Sequence, residues 1–271
     1  MRHVFAFFAM LFVATDFLLL NFFQILTLPI GLFSKKKLKV VHHFLVDCCV
    51  DIFIFAMVKV VRAKISLSGD TPLPDENVII IANHQAFADV PIVAYVASLH
   101  RRAKHLRYFC KNSFKWIPGP GWALHFSGAI FLKRNWAEDL VTINATFQEL
   151  RESEDKFWFV IFPEGTRVNA KKIKASQEYM STKGMDPLKT RIMPRVKGFH
   201  AAISGLGQRI DAVYDLSIQY KGVDKAPSLW RFVSGVDFNI HIKRYPISEI
   251  PKASSEQQRW LLERIKEKDG I

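Results

Sequence analysis

The sequence predicts an α/β fold: a central, mostly parallel or mixed sheet flanked by helices, preceded by an N-terminal two-helix membrane anchor. Three observations predict it. Short apolar runs of strand length alternate with amphipathic segments of helix length from residue 65 onward. The first sixty residues carry two apolar stretches of membrane-helix length. The polar residues with chemistry gather just after the apolar runs, where an α/β sheet releases its loops.

Val4 to Phe33 is apolar apart from Asp16, Asn21 and Gln24, with a breaker at Pro29-Ile30-Gly31. A helix of that length reaches about 45 Å, more than the ~30 Å hydrocarbon core requires. A cleaved signal peptide would have a shorter apolar region ending in small residues. A basic turn follows, Lys35-Lys36-Lys37-Leu38-Lys39, and then a second apolar stretch from Val40 to Val61. This stretch carries His43, Asp47 and Asp51 along one helical stripe. Charges in a bilayer centre are expensive, so this helix either lies in the interface or turns its stripe onto protein. A buried hairpin of soluble helices is the competing reading. We divide the chain into an anchor, residues 1–64, and an α/β domain, residues 65–271.

In the domain, Gly69-Asp70-Thr71-Pro72-Leu73-Pro74 reads as a loop. Strands are predicted at Val78–Ala82, Ala129–Leu132, Phe157–Phe162, Ala212–Gln219 and around Phe238, Ile240 and Ile242. Helices are predicted at Val90–Leu99, Glu138–Glu152 and Glu256–Lys268.

Net charge is +13, and residues 171–197 hold eight Lys/Arg against two acids. Such a patch suits an anionic partner or is a solvated basic loop. It lacks the interleaved aromatics of single-strand binders, so nucleic acid is not expected as a partner. Cys48, Cys49 and Cys110 give no disulfide framework. No Cys-x-x-Cys or His-x-x-x-His occurs, and no bound metal is expected. Nucleophile-elbow, phosphate-loop and dinucleotide fingerprints are all missing.

Three loops remain. In the first, His84 and Asp89 are five residues apart. On one helix they would not meet. With His84 in a loop and Asp89 opening a helix that contains Pro91, they can. Asp89 would then fix the tautomer of a general base; otherwise it only caps the helix. The second loop carries Lys133-Arg134 after an apolar run, and arginine suits bidentate contact with phosphate. The third, Pro163-Glu164-Gly165-Thr166-Arg167, sets a carboxylate, a glycine and an arginine in one turn.

Together these loops resemble the glycerolipid acyltransferases, the 1-acylglycerol-3-phosphate (lysophosphatidic acid) acyltransferases and their relatives. Asn83-His84 to Asp89 matches the family's Asn-His-x-x-x-x-Asp block, and Gly128 to Arg134 its Gly-x-x-Phe-x-x-Arg block. Phe162 to Arg167 matches the third block, and Pro194 to Gly198 the fourth, all in the family's order. Finer details, Phe131-Leu132-Lys133-Arg134 and Pro194-Arg195-Val196-Lys197-Gly198-Phe199, resemble the eukaryotic-type branch of lysocardiolipin and lysophosphatidylinositol acyltransferases. Ala86 departs from the Ser that many members carry.

The resemblance implies that His84 and Asp89 are catalytic and that acyl-CoA is co-substrate, with no tightly bound cofactor. It implies a lysophospholipid acceptor and a phospholipid membrane as the other partners. Asn83, Lys133, Arg134, Glu164, Gly165, Thr166, Arg167, Pro194, Lys197 and Gly198 would bind substrate, with Arg134 and Arg167 at the acceptor phosphate. The protein is expected in an internal membrane of a eukaryotic cell or the inner membrane of a bacterium, its active site facing the cytosol. The alternative is a non-catalytic, membrane-bound basic module that recruits partners to anionic lipid; it leaves the His–Asp pair unexplained.

Overall fold

The computed structural model describes residues 2–73, 75–223 and 226–270, without the side chains of Arg2, His3 and Phe5. Pro74, the end of the predicted Gly69–Pro74 loop, lies outside the described residues.

Helix α1 (Arg2–Leu26) ends before Pro29, and a single turn, α2 (Ile30–Phe33), leads into α3 (Lys35–Phe55). The basic segment predicted as a turn is instead the first turn of α3. Ser34 caps it, accepting from the Lys37 amide at 3.2 Å. A π-helical turn (Ala56–Val60) closes α3. Both long helices are long and apolar enough to cross a membrane. They do not stand clear of the domain, however. α1 packs along α3 and reaches two elements of the domain, α5 (Pro120–Phe126) and α9 (Leu229–Val233). Ala6 and Met57 share one buried cluster with Val78 and Ile80 of the sheet, so the packing has no gap at residue 64.

The polar residues of α1 explain this contact. Asp16, Asn21 and Gln24 are buried. Asp16 accepts from Cys49 Sγ at 3.2 Å, and Asn21 Oδ1 accepts from the Gly119 amide at 2.7 Å. The stripe of α3 likewise turns onto protein at two of its three positions. Asp47 accepts from the Lys104 backbone amide and pairs with its amine at 3.0 Å, and the His43 ring meets His105 edge-on. Asp51 faces outward. The opposite face of α1 exposes Phe7, Phe8, Leu11, Phe12, Leu18, Leu19, Phe22 and Phe23.

The sheet has seven strands: β1 (Ile65–Gly69), β2 (Val78–Ala82), β3 (Leu106–Lys111), β4 (Ile130–Leu132), β5 (Trp158–Ile161), β6 (Ala212–Tyr220) and β7 (Phe238–Pro246). Their order is β1-β7-β6-β2-β5-β3-β4. All pairs are parallel except β6 with β7, so the sheet is mixed. Successive residues of β2 feed opposite cores. Val78, Ile80 and Ala82 lie under α4 (Asp89–Leu99) and the anchor, while Ile79 and Ile81 lie under α6 (Trp136–Glu152), α8 (Val196–Leu206) and α10 (Ser254–Glu267). Burial on both faces is why the sequence there is an unbroken apolar run rather than an alternation.

The predicted strands and helices match β2, β4, β5, β6, α4, α6 and α10 within about two residues, and β7 runs on past the predicted stretch to Pro246. The prediction omitted β1, β3, α5, α8, α9 and the helix α7 (Ala170–Thr182), which carries Lys171, Lys172 and Lys174 of the basic patch.

β2, β3, β4, β5 and β6 point the same way, so their carboxyl ends share one edge of the sheet. The loops after Ala82, Lys111, Leu132, Ile161 and Tyr220 meet there.

Candidate active site

α4 begins at Asp89, and Pro91 sits in its first turn, where no intrahelical donor is required. The chain between β2 and α4 folds back so that His84 Nδ1 lies 2.9 Å from Asp89 Oδ2. The same oxygen accepts from the backbone amides of Gln85 (2.6 Å) and Ala86 (2.8 Å). Oδ1 accepts from the Tyr220 hydroxyl at 2.5 Å. Asp89 is wholly buried, and the His84 side chain retains 17% exposure. Burial, with Asp89 beside it, pushes the Tyr220 hydroxyl up and keeps it a donor. Four donors on one buried carboxylate hold the imidazole so that Nε2 is the nitrogen left for a substrate. Phe162 stacks on the ring at 4.1 Å between centroids.

Glu164 approaches from the loop after β5. Its Oε1 accepts from the His84 backbone amide at 3.0 Å, while Oε2 is buried without a hydrogen-bond partner among the described residues. Burial pushes this carboxyl up to about 7 from the ordinary 4.5; the His84 amide, Arg191 and Lys268 pull the other way. A raised carboxylate keeps its proton in the folded state after the unfolded chain has lost it. Stability should therefore fall as pH rises from about 4.5 to about 7, by on the order of 3 kcal/mol. Glu164→Gln keeps an oxygen for the His84 amide and should flatten that slope. Urea midpoints of the detergent-solubilised protein across this pH range check it; an unchanged slope would assign it to other groups.

Gly165 has φ +66°, and a Cβ there would come within 3.0 Å of Arg195 Cδ. Glycine thus allows the left-handed turn and lets Arg195 lie across it. Arg195 joins a cationic group: the Lys172 amine, lowered first by partial burial, is lowered further by Arg167, Arg134 and Arg195. Lys172 donates to Thr166 Oγ1 (2.5 Å) and to the Arg167 carbonyl (2.8 Å). Arg134 itself has φ +69°, uncommon for a residue with a Cβ. Asp139 secures that backbone by accepting from the amides of Lys133 (2.7 Å) and Arg134 (2.9 Å).

The predicted residues thus fall into two groups. His84, Asp89, Glu164, Gly165, Thr166, Arg134 and Arg167 collect at the loop edge. The remainder have structural partners. Asn83, expected to bind substrate, is buried and bonds both the amide and the carbonyl of Ile218, locking its loop to β6. Lys133 pairs with Glu138 at 3.0 Å. Pro194 is buried, its carbonyl accepting from Gln258 at 2.9 Å. Lys197 lies over the Trp136 ring, and Gly198 lets α8 approach Phe109.

Three residues were missed: Tyr220, Arg195 and Arg191. Arg191 belongs to the basic patch in sequence, yet it is buried, donating from Nε to the Lys268 carbonyl at 3.1 Å. Glu164, Asp89 and Asp269 surround it with negative charge. With the Gln85 amide turned so that its oxygen faces them, Arg191 Nη1 and Asn83 Nδ2 both donate to Gln85, each at 2.9 Å. Lys268 in turn forms a buried ion pair with Asp215 of β6. A single cation in a basic run gives no sign that it points inward.

A cavity of about 430 Å³ opens beside the His84 loop, lined by Gln85, Ala86, Phe87, Arg167, Pro227 and Leu229 among others.

Fold and site together define a class: a mixed α/β protein with two lipid-compatible helices that presents an oriented imidazole beside clustered cations. The chain belongs to the acyltransferase family, whose model matches residues 64–219, with the model described as acyltransferase C-terminus matching residues 233–271. It is similar to 1-acyl-sn-glycerol-3-phosphate acyltransferase epsilon of Mus musculus, 32% identical over 220 residues, 77% of this chain and 60% of that protein. It is also similar to probable 1-acyl-sn-glycerol-3-phosphate acyltransferase 5 of Arabidopsis thaliana, 28% identical over 266 residues, 97% of this chain and 70% of that one. Across these and a third relative, the chain spans 51–70% of the relatives' own length. The crystal structure of the 1-acyl-sn-glycerophosphate (LPA) acyltransferase PlsC from Thermotoga maritima shares the fold. Its TM-score is 0.57 at 16% identity, covering 98% of this chain and 92% of that one.

Proposed function

We propose that this protein transfers a fatty acyl group from acyl-CoA to the free hydroxyl of a lysophospholipid, lysophosphatidic acid or a related 1-acyl-glycerophospholipid. The observation that carries this reading is the His84–Asp89 pair, which engages Nδ1 and leaves Nε2 for a substrate, in a loop edge where cations cluster. The acceptor hydroxyl gives its proton to His84 Nε2 as its oxygen attacks the thioester carbonyl. The carbon–sulfur bond then breaks, and the departing CoA sulfur takes the proton back from the imidazolium. Asp89 steadies the cation while it lasts. The base contributes typically ~10²–10⁴ in rate, and alignment of the two substrates supplies the rest. Similarity to proteins named as 1-acyl-sn-glycerol-3-phosphate acyltransferases supports the acceptor class. The two apolar helices support membrane anchoring, which suits substrates whose acyl chains reside in lipid.

The test is purified protein with one labelled acyl-CoA and a panel of lysolipids, read as labelled diacyl product and released thiol. Absence of turnover with every lysolipid overturns the reading.

Arg134 and Arg167 are assigned to the acceptor phosphate. Arg→Lys at either keeps the charge and loses the planar fork. Losing one charge-assisted hydrogen bond costs roughly 1.5–3 kcal/mol, about ten- to over a hundredfold in acceptor affinity. The acceptor KM should rise by that factor while the acyl-CoA KM stays level. A rise in the acyl-CoA KM alone would move these arginines to the donor.

A further inference from the structure

The turn after β3, Asn112–Trp116, leaves the sheet at the same edge as the His84 loop. Its tip is apolar and held in water: Trp116 is 75% exposed and Ile117 43%. No other described aromatic outside α1–α3 is as exposed as Trp116. The turn is not a loose loop. Ile117 N donates to the Phe114 carbonyl at 3.0 Å. Gly121 packs so closely that a Cβ would fall 2.1 Å from the same carbonyl oxygen. Gly119, two residues past the tip, is tied to Asn21 and lies against Phe17 of α1. One turn along α1 stand the exposed Leu18, Leu19, Phe22 and Phe23. In the other direction the Phe114 ring lies 6.3 Å from that of Phe87, which lines the cavity beside the His84 loop.

A rigid, exposed Trp–Ile tip is costly in water unless something covers it. Its chemistry suits a bilayer interface: an indole with a polar N–H, flanked by Lys111 and by Lys115, whose amine lies 5.1 Å from the Trp116 ring. Lysines at that level favour anionic headgroups. Exposed apolar side chains thus stand on α1 and at this tip, and Phe114 connects the turn to Phe87.

We propose that the Asn112–Ile117 turn is a second membrane contact, a wedge from the catalytic domain that enters the headgroup region and hands bilayer-resident acceptor to His84. This rests on the reading of the chain as a membrane-anchored lysolipid acyltransferase. The anchor then fixes the protein to the membrane, and the wedge sets its tilt so that the loop edge faces lipid.

The full chain is reconstituted on vesicles of phosphatidylcholine and phosphatidylglycerol, with and without brominated acyl chains. Emission of Trp116→Phe is subtracted from that of the wild type. The difference, which is Trp116 alone, should be quenched at least about twofold by the brominated lipid, as expected of an indole at the acyl boundary. In parallel, Trp116→Ser/Ile117→Ser should raise the KM for a long-chain lysolipid in vesicles about tenfold. The KM for a soluble short-chain acceptor should be unchanged. Unquenched difference emission, or two KM values that move together or not at all, overturns the proposal. If the wild type acylates neither acceptor, the enzymatic reading fails by itself, and the quenching result still decides whether the tip meets lipid.

Discussion

His84→Ala is expected to lower turnover by ~10²–10⁴ or more, the usual contribution of a positioned base, while the protein stays folded and membrane-bound. The side chain is partly exposed and stacks on the Phe162 ring. The hydrogen bonds that hold the loop run through the His84 backbone: its amide to Glu164 and its carbonyl to Val168 N at 3.0 Å. Alanine keeps both. Turnover of the purified variant, beside its urea midpoint and vesicle sedimentation, separates chemistry from folding. Near wild-type turnover would remove His84 from the mechanism.

Asp89 should divide two effects that are usually confounded. In Asp89→Ala, four donors lose their acceptor at once: His84 Nδ1, the amides of Gln85 and Ala86, and the Tyr220 hydroxyl. Each buried orphan costs about 1–3 kcal/mol, against a total stability of about 5–15 kcal/mol. That variant should unfold or fail to accumulate. Asp89→Asn is different. Its carbonyl oxygen can keep the three donors now on Oδ2, and its amide can donate to Tyr220, whose hydroxyl rotates to accept. The fold survives, but no negative charge faces the imidazolium. Turnover should drop about 10²–10⁴-fold, with the unfolding midpoint shifted far less than in the alanine variant. An active Asp89→Asn would make Asp89 a residue that only holds the loop before α4.

What the sequence disclosed follows from where each signal originates. β2 and β5 were legible because burial on both faces writes an apolar run that no polar face interrupts. β3, Leu-Arg-Tyr-Phe-Cys-Lys, was not. Arg107 sits buried in it, satisfied by the carbonyls of Lys104 and Leu106 rather than by a carboxylate, so the strand carries a charge where the pattern demands none. β1 was missed because an edge strand paired on one side needs little apolar content; Ser66 and Ser68 alternate with an exposed Leu67. α7 buries only Met180, so composition described its charge and concealed its helix. The reversal between β6 and β7 is a matter of topology, and nothing within either strand encodes it. At the site, His84, Asp89 and Glu164 were legible because titratable groups just after buried strands are rare without a use. Tyr220 and Arg191 act across 131 and over 100 residues of chain respectively. Neither has a local neighbour that marks it.

The buried polar side of α1 also sets an order of assembly. Synthesis runs from the amino end, so α1 is made while its partners do not yet exist. Asp16 waits for Cys49, 33 residues on, and Asn21 waits for Gly119, 98 residues on. Until then Asn21 and Gln24 have only each other, through the Asn21 Nδ2 bond to Gln24 Oε1 at 3.2 Å, and a bilayer offers Asp16 no partner. The helix is therefore completed only when the segment after β3 closes over it. The helix is finished by the domain it packs against.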